Sequence, residues 1–239
     1  MIPFVVVSLA WFFQSVTGFG AGIFIIGVLS IFYDPKMVVV SSAIFNLFGT
    51  LLILYQNRKG KIEPYFLLSL ILSSAPGIIL GAYLLNRIDQ KELRLTIGCF
   101  TVLLGLYDLA VSKGWLKVKL SKKMGLIAGF LGGFFAGLVG MGGPPPLVFL
   151  SQQIKDPYSV RLMLNVYFTF NIILRLLFYQ SFDVVSLDWN YIALGLAGLL
   201  TGVSLGGLLF RKVDAELYRR SVPYAVIALG CLLLIASER

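Results

Sequence analysis

Histidine is missing from this chain of 239 residues, charged residues make up only 13%, and Cys99 and Cys231 are its two cysteines. Each shortage excludes something. Without histidine the chain lacks the commonest general base and a favoured zinc ligand. Two cysteines far apart in sequence, each inside an apolar run, give neither a disulfide framework nor a metal cluster. Soluble domains carry roughly 25% charged residues, so about half the polar surface of a water-soluble fold is absent. Carboxylates are scarcer still, 11 against 20 Lys and Arg. Ten of those 11 fall in loops or at segment ends, with Asp108 one turn inside its segment, so no deep acid is present to draw a metal or an organic cation. No paired acid and base, nucleophile constellation or nucleotide-binding motif is present. The chain is therefore not expected to be an enzyme, to hold a cofactor or to bind a metal.

What is there is apolar. Hydrophobic residues reach 58%, and the net charge of +9 resides in short loops between apolar runs. There the membrane orientation rule accounts for the cations better than nucleic acid does. Eight segments can be marked: 2–31, 37–55, 64–85, 93–111, 123–151, 158–180, 187–210 and 221–237. All are long enough for the roughly 20 residues that a bilayer-spanning helix needs. The start, Met1-Ile2-Pro3-Phe4, has no basic region and no small-residue cleavage site, and is not read as a removable signal.

The chain repeats itself. Phe12-Phe13 recurs as Phe134-Phe135, Gly18 and Gly20 as Gly140 and Gly142, and Asp34-Pro35 as Asp156-Pro157, all at an offset of 122. Gly77, Gly81, Asp89 and Gly105 match Gly202, Gly206, Asp214 and Gly230 at an offset of 125. These matches divide the chain into an N-terminal repeat 1–112, a basic linker 113–122 and a C-terminal repeat 123–239, within one integrated membrane domain.

Charge then discriminates between topologies. If all eight segments span, the loop cations split 9 to 10 across the membrane, which is no bias. If segments 2–31 and 123–151 each enter and return on one side, 14 cations share a face and 5 the other, with Arg175 left inside a segment. Both segments have glycine clusters at their middle, Thr17-Gly18-Phe19-Gly20-Ala21-Gly22 and Gly140-Met141-Gly142-Gly143 followed by Pro144-Pro145-Pro146. Three prolines cannot sit within an unbroken helix, because each removes an amide donor and clashes with the preceding turn. The expectation is an all-α polytopic membrane protein of two inverted repeats, each a glycine-broken, re-entrant segment plus three transmembrane helices.

Broken helices at matching places in two halves are the best sequence pointer to a transporter's substrate site. Glycine amides approach a ligand closely, and a half-helix N-terminus favours an anion. Polar residues inside the apolar runs extend the candidate site. It comprises Gln14, Thr17, Gly18, Gly20 and Gly22 at the first break, Asn46 on the following helix, and Gly140, Gly142, Gly143 and Pro144 at the second break. Asn165 and Arg175 complete it, with Arg161 a further possible counter-charge. Gly142→Val is expected to abolish binding without unfolding. The pairs Gly77–Gly81 and Gly202–Gly206, at small-xxx-small spacing, are expected to pack helices instead.

This pattern resembles the sulfite exporter TauE/SafE family. Gly140-Met141-Gly142-Gly143-Pro144-Pro145 is similar to the family's second glycine-rich motif. Thr17-Gly18-Phe19-Gly20-Ala21-Gly22 is similar to its first, with Ala21 where many members have glycine. Ser41-Ser42 stands for the Thr-Ser pair common in the family, and the second half has no such pair near Met163-Leu164. The resemblance implies a secondary transporter in the cell inner membrane, multi-pass, moving a small inorganic or organic sulfur anion, sulfite or an organosulfonate. A passive anion channel and a carrier of a non-sulfur organic anion are the alternatives. A proton or sodium ion is a possible coupling ion, no nucleic acid is expected, and monomer and homodimer both remain open.

Overall fold

The computed structural model describes residues 1–17, 20–56, 60–113, 115, 120–184, 187–209 and 215–237. These residues are helical and contain no strand. In chain order the helices are α1 (Ile2–Thr17), α2 (Ala21–Phe32), α3 (Pro35–Gln56), α4 (Pro64–Arg87), α5 (Gln90–Ser112), α6 (Met124–Val139), α7 (Pro144–Gln153), α8 (Pro157–Ser181), α9 (Trp189–Leu209) and α10 (Ala215–Ser237). Each apolar segment becomes helix, and 2–31 and 123–151 are each divided into two helices at their central glycine clusters. The broken pieces have 16 and 12 residues in one segment and 16 and 10 in the other. At 1.5 Å per residue none of the four pieces crosses a hydrocarbon core of about 30 Å alone. Among the described residues, Pro35–Tyr55, Pro64–Arg87, Pro157–Ser181 and Trp189–Gly206 are long and apolar enough to cross a membrane.

Helix starts follow from local chemistry. Asp34 precedes Pro35, and its Oδ1 accepts from the amides of Lys36 at 2.7 Å and Met37 at 3.2 Å. Asp156 precedes Pro157 and accepts from Tyr158 N at 3.3 Å and Ser159 N at 3.0 Å. Proline suits the first helical position because its missing donor would have been unpaired there. The Ser159 hydroxyl also donates to Asp156 and, with these amides, holds its carboxyl below the usual carboxylate range. Asp89 caps α5 through Glu92 N at 2.7 Å. Its sequence match Asp214 lies outside the described residues.

The chain forms two compact units, each drawn from both sequence halves. One contains Met1–Val38, Ile88–Val118 and Asp188–Arg239, the other Val39–Arg87 and Lys119–Leu187. In the first, α1 packs on α9 and α5 on α10; in the second, α4 packs on α6 and α8. Glycine makes these approaches possible. A Cβ at Gly77 would stand 2.3 Å from Phe130 O and 2.8 Å from Phe134 N, and one at Gly81 would stand 2.3 Å from Phe134 O. In the other unit a Cβ at Gly202 would stand 2.3 Å from Ser8 O and 3.0 Å from Phe12 N, and one at Gly206 would stand 2.9 Å from Phe12 O. Ser8 and Phe12 sit 122 residues before Phe130 and Phe134. The two glycine pairs therefore make the same kind of backbone contact, with partners at positions 122 residues apart. Both glycine pairs pack helices as expected.

These contacts also give direction. Along α4 and α6 the touching residues rise together, as they do along α1 and α9. Along α6 and α8 they rise together too, from Tyr167 OH on Gly129 O to Arg175 on Ala136 and Tyr179 on Gly137. α6 and α8 thus advance in the same sense although only α7 and a short turn join them. On α5 and α10 the order reverses, with Gly98 against Leu234 and Gly230 against Val102. This pair is antiparallel.

A Cβ at Gly77 would press into a backbone carbonyl that cannot rotate away. Gly77→Ala should therefore lower stability by about 1–3 kcal/mol. Leu103→Ala, at a position 63% exposed, should leave it nearly unchanged. Thermal melts of the two detergent-purified variants against wild type check this.

Candidate functional site

The second break is assembled wholly within the second unit. Gly140 ends α6 in the left-handed region at φ 72°, a conformation glycine reaches without a Cβ penalty. Its N–H bonds Ala136 O at 3.1 Å, and Met141 N–H reaches Phe135 O at 3.2 Å. The chain then folds back on α6. A Cβ at Gly142 would stand 2.2 Å from Gly132 O and 2.6 Å from Ala136 Cβ. Gly142 is therefore close-packed against backbone. This overturns the expectation that Gly142→Val removes binding while sparing the fold, since valine has no room there. Gly143 is roomier, with only the far edge of the Phe168 ring within reach, at 3.3 Å.

Pro144, Pro145 and Pro146 open α7 instead of interrupting it. Its first turn consequently carries no N–H groups, and the first helical amide bond runs from Leu147 N to Gly143 O at 3.1 Å. The half-helix keeps its dipole but has lost the donors that usually cradle an anion. Pro144 can offer such a ligand only ring contact. The amides left at this break are those of Gly142 and Gly143.

α8 supplies the polar side chains. Asn165, Asn171 and Arg175 are all at most 2% exposed. Arg175 Nη1 donates to Ala136 O at 3.1 Å, one turn before Gly140. Its Nε has no partner, and no carboxylate faces it among the described residues. Tyr179 OH donates to Gly137 O at 2.6 Å, and Tyr167 OH to Gly129 O at 3.3 Å. Sequence reading passed over both tyrosines. Their signal was the small residues of α6, Gly129, Gly133, Ala136 and Gly137, which bare that helix's carbonyls to a neighbour. Asn165 Nδ2 donates to Arg161 O and Asn171 Nδ2 to Tyr167 O, both at 2.8 Å, while both Oδ1 atoms are buried without a donor. Asn46, 7% exposed on α3, has its Oδ1 in the same condition.

The first break belongs to the other unit and is built differently. Gly20 holds φ 106° ahead of α2. Gln14, read as a ligand group, instead closes the break, its Oε1 accepting from Ala21 N at 2.8 Å across 7 residues. Gly22 follows in the first turn of α2. Gly18 and the Thr17 side chain lie outside the described residues. At the second break the position 122 residues beyond Gln14 is Ala136, whose methyl side chain cannot accept from an amide. The two breaks are therefore closed differently.

Two glycine-broken segments among helices apolar enough to cross a membrane, with buried amides and a buried guanidinium beside one break, define a helical membrane protein organised around paired helix breaks. The chain belongs to the sulfite exporter TauE/SafE family, whose sequence profile matches residues 3–233. It is 24% identical over 171 residues to a Cupriavidus necator protein named "Probable sulfite/organosulfonate exporter TauE", an alignment spanning 70% of this chain and 66% of that protein. No solved structure matches the chain.

Gln14→Leu should leave the Ala21 amide buried without an acceptor, a loss of about 1–3 kcal/mol. A lowered melting temperature of the purified variant, with no anion added, is the expected reading.

Proposed function

We propose that the chain is a multi-pass secondary transporter of the cell inner membrane that moves a small sulfur-containing anion, sulfite or an organosulfonate, by alternating access. The observation that carries this reading is Arg175. A cation 2% exposed with an unpartnered Nε and no carboxylate against it is costly in an apolar interior. A small anion supplies the missing charge and acceptor. Arg175 sits beside the second break, where the backbone amides of Gly142 and Gly143 are the other N–H groups. The name of the Cupriavidus necator relative points to the same ligand class.

Membership of an inverted repeat, residues 1–112 against 123–239 about the linker 113–122, underlies the alternating access. Antiparallel α5 and α10, which the repeat matches to each other, support it. So do α6 and α8, which could not advance in the same sense if 123–151 crossed the membrane once. Alternating access of this kind would expose the anion to each side in turn.

Two measurements test this. In choline buffer, sulfite, thiosulfate, taurine and sulfoacetate are compared with sulfate, acetate and phosphate for their effect on the melting temperature, since a ligand of the folded state raises it by mass action. A selective rise with a sulfur anion is expected, and Arg175→Met should remove it. The same variant should keep or raise the melting temperature without anion, because an apolar chain replaces an unpaired buried charge. A fall without anion would make Arg175 a structural residue, and a rise confined to acetate would remove sulfur from the reading. For topology, Ser121→Cys and Ser181→Cys in a background lacking Cys99 and Cys231 should react with an impermeant maleimide from opposite faces. Labelling from the same face would restore eight full spans.

A further inference from the structure

One cluster inside the second unit has chemistry that an anion cannot answer. α3 presents Asn46 and Thr50, and α8 presents Asn165 and Thr169, each pair at i, i+4 and so on one helix face. The threonines meet, Thr169 Oγ1 to Thr50 Oγ1 at 3.2 Å. Each hydroxyl also lies against a carbonyl of its own helix, Thr50 against Leu47 O at 2.9 Å and Thr169 against Asn165 O at 2.8 Å. A hydroxyl has one proton to donate and two lone pairs. Three contacts therefore share two protons. With the two shorter contacts made, the threonine oxygens face each other with lone pairs only. One turn away on each helix, the amide oxygens of Asn46 and Asn165 are buried with no donor. The orientation of Asn165 is fixed, because its Nδ2 donates to Arg161 O at 2.8 Å. All four residues are neutral and offer acceptor oxygens short of a donor, with Asn46, Thr50 and Asn165 buried and Thr169 half-buried.

We infer that this cluster is a binding site for a sodium-sized monovalent cation, with the Thr50 and Thr169 hydroxyl oxygens at its centre and Asn46 or Asn165 Oδ1 as further ligands. Neutral hydroxyl and amide oxygens are hard donors suited to such an ion. The absence of any carboxylate in the cluster disfavours calcium or magnesium, whose sites are built on acidic side chains. Anionic ligands are disfavoured too, because a sulfur oxyanion would add acceptors where donors are short. The site rests on the transporter reading above and gives it a coupling ion: one cation bound on α3 and α8 offsets the charge of one anion at Arg175.

The test is the melting temperature of the intact purified chain, titrated with sodium chloride against choline chloride at constant total chloride and with no sulfur anion present. A saturable rise is expected, roughly 5–10 °C at a hundredfold excess over the dissociation constant. Magnesium chloride at matched chloride should give none. Thr50→Val with Thr169→Val keeps shape and removes both oxygens, and should abolish the sodium rise while leaving the sulfur-anion rise measured in choline. Thr169→Ser keeps its oxygen and should retain the sodium rise, which guards against a double variant that fails to fold. Equal melting temperatures in sodium and choline, or a sodium rise that survives the double valine variant, would overturn the site. Loss of the anion rise alone, with the sodium rise intact, would count against the anion reading and leave this site standing.

Discussion

Backbone laid directly on backbone is the contact on which the remaining architecture depends. In lipid, two helices gain little by hiding apolar side chains from one another, because the surrounding tails are just as apolar. What remains is close van der Waals approach, and that needs helices with no side chain at the crossing. Gly77 and Gly81 on α4, and Gly202 and Gly206 on α9, supply it, bringing Phe130, Phe134, Ser8 and Phe12 to within contact of the glycine Cα atoms. The contact also governs what the partner helix can offer. α6 carries small residues on more than one face, so it meets α4 through Gly133 and Gly137 while presenting the Gly129, Ala136 and Gly137 carbonyls to Tyr167, Arg175 and Tyr179.

Much of this was legible in the sequence. The eight helical segments follow from apolar length, the second break follows from three consecutive prolines that a helix interior cannot hold, and the first is marked by its glycine cluster. Asp34-Pro35 and Asp156-Pro157 were legible as a recurring pair, whereas their capping of α3 and α8 emerged only with the structure. The pairing of helices was not legible, because a stripe of glycine says that something approaches closely without naming the partner. Nor was the role of Gln14. Its carboxamide accepts from Ala21 only because Gly20 swings that amide round with φ 106°, a geometry that composition does not encode. Three prolines announced a break, and the structure adds that they also strip the following half-helix of donors.

The two breaks differ in a chemically consistent way. The first closes its own amide with Gln14. The second has alanine at the matching place and draws in Arg175 from α8, so that Ala136 O receives donors from Gly140 N and Arg175. One break is self-sufficient and the other depends on a charge brought from a later helix.

Interleaving has a consequence for how the chain is made. α1 occupies Ile2–Thr17, yet the helix it packs on is α9, Trp189–Leu209. A ribosome must therefore synthesise most of the chain before the first helix meets its partner. Until then the seam formed by Ser8, Phe12 and Ser15 faces lipid or the insertion machinery. α4 waits less, since α6 follows it after a single intervening helix. Assembly is thus ordered by translation itself: the unit built on α4 and α6 can close while the other is still incomplete, and a chain released early would leave the membrane holding an orphaned α1.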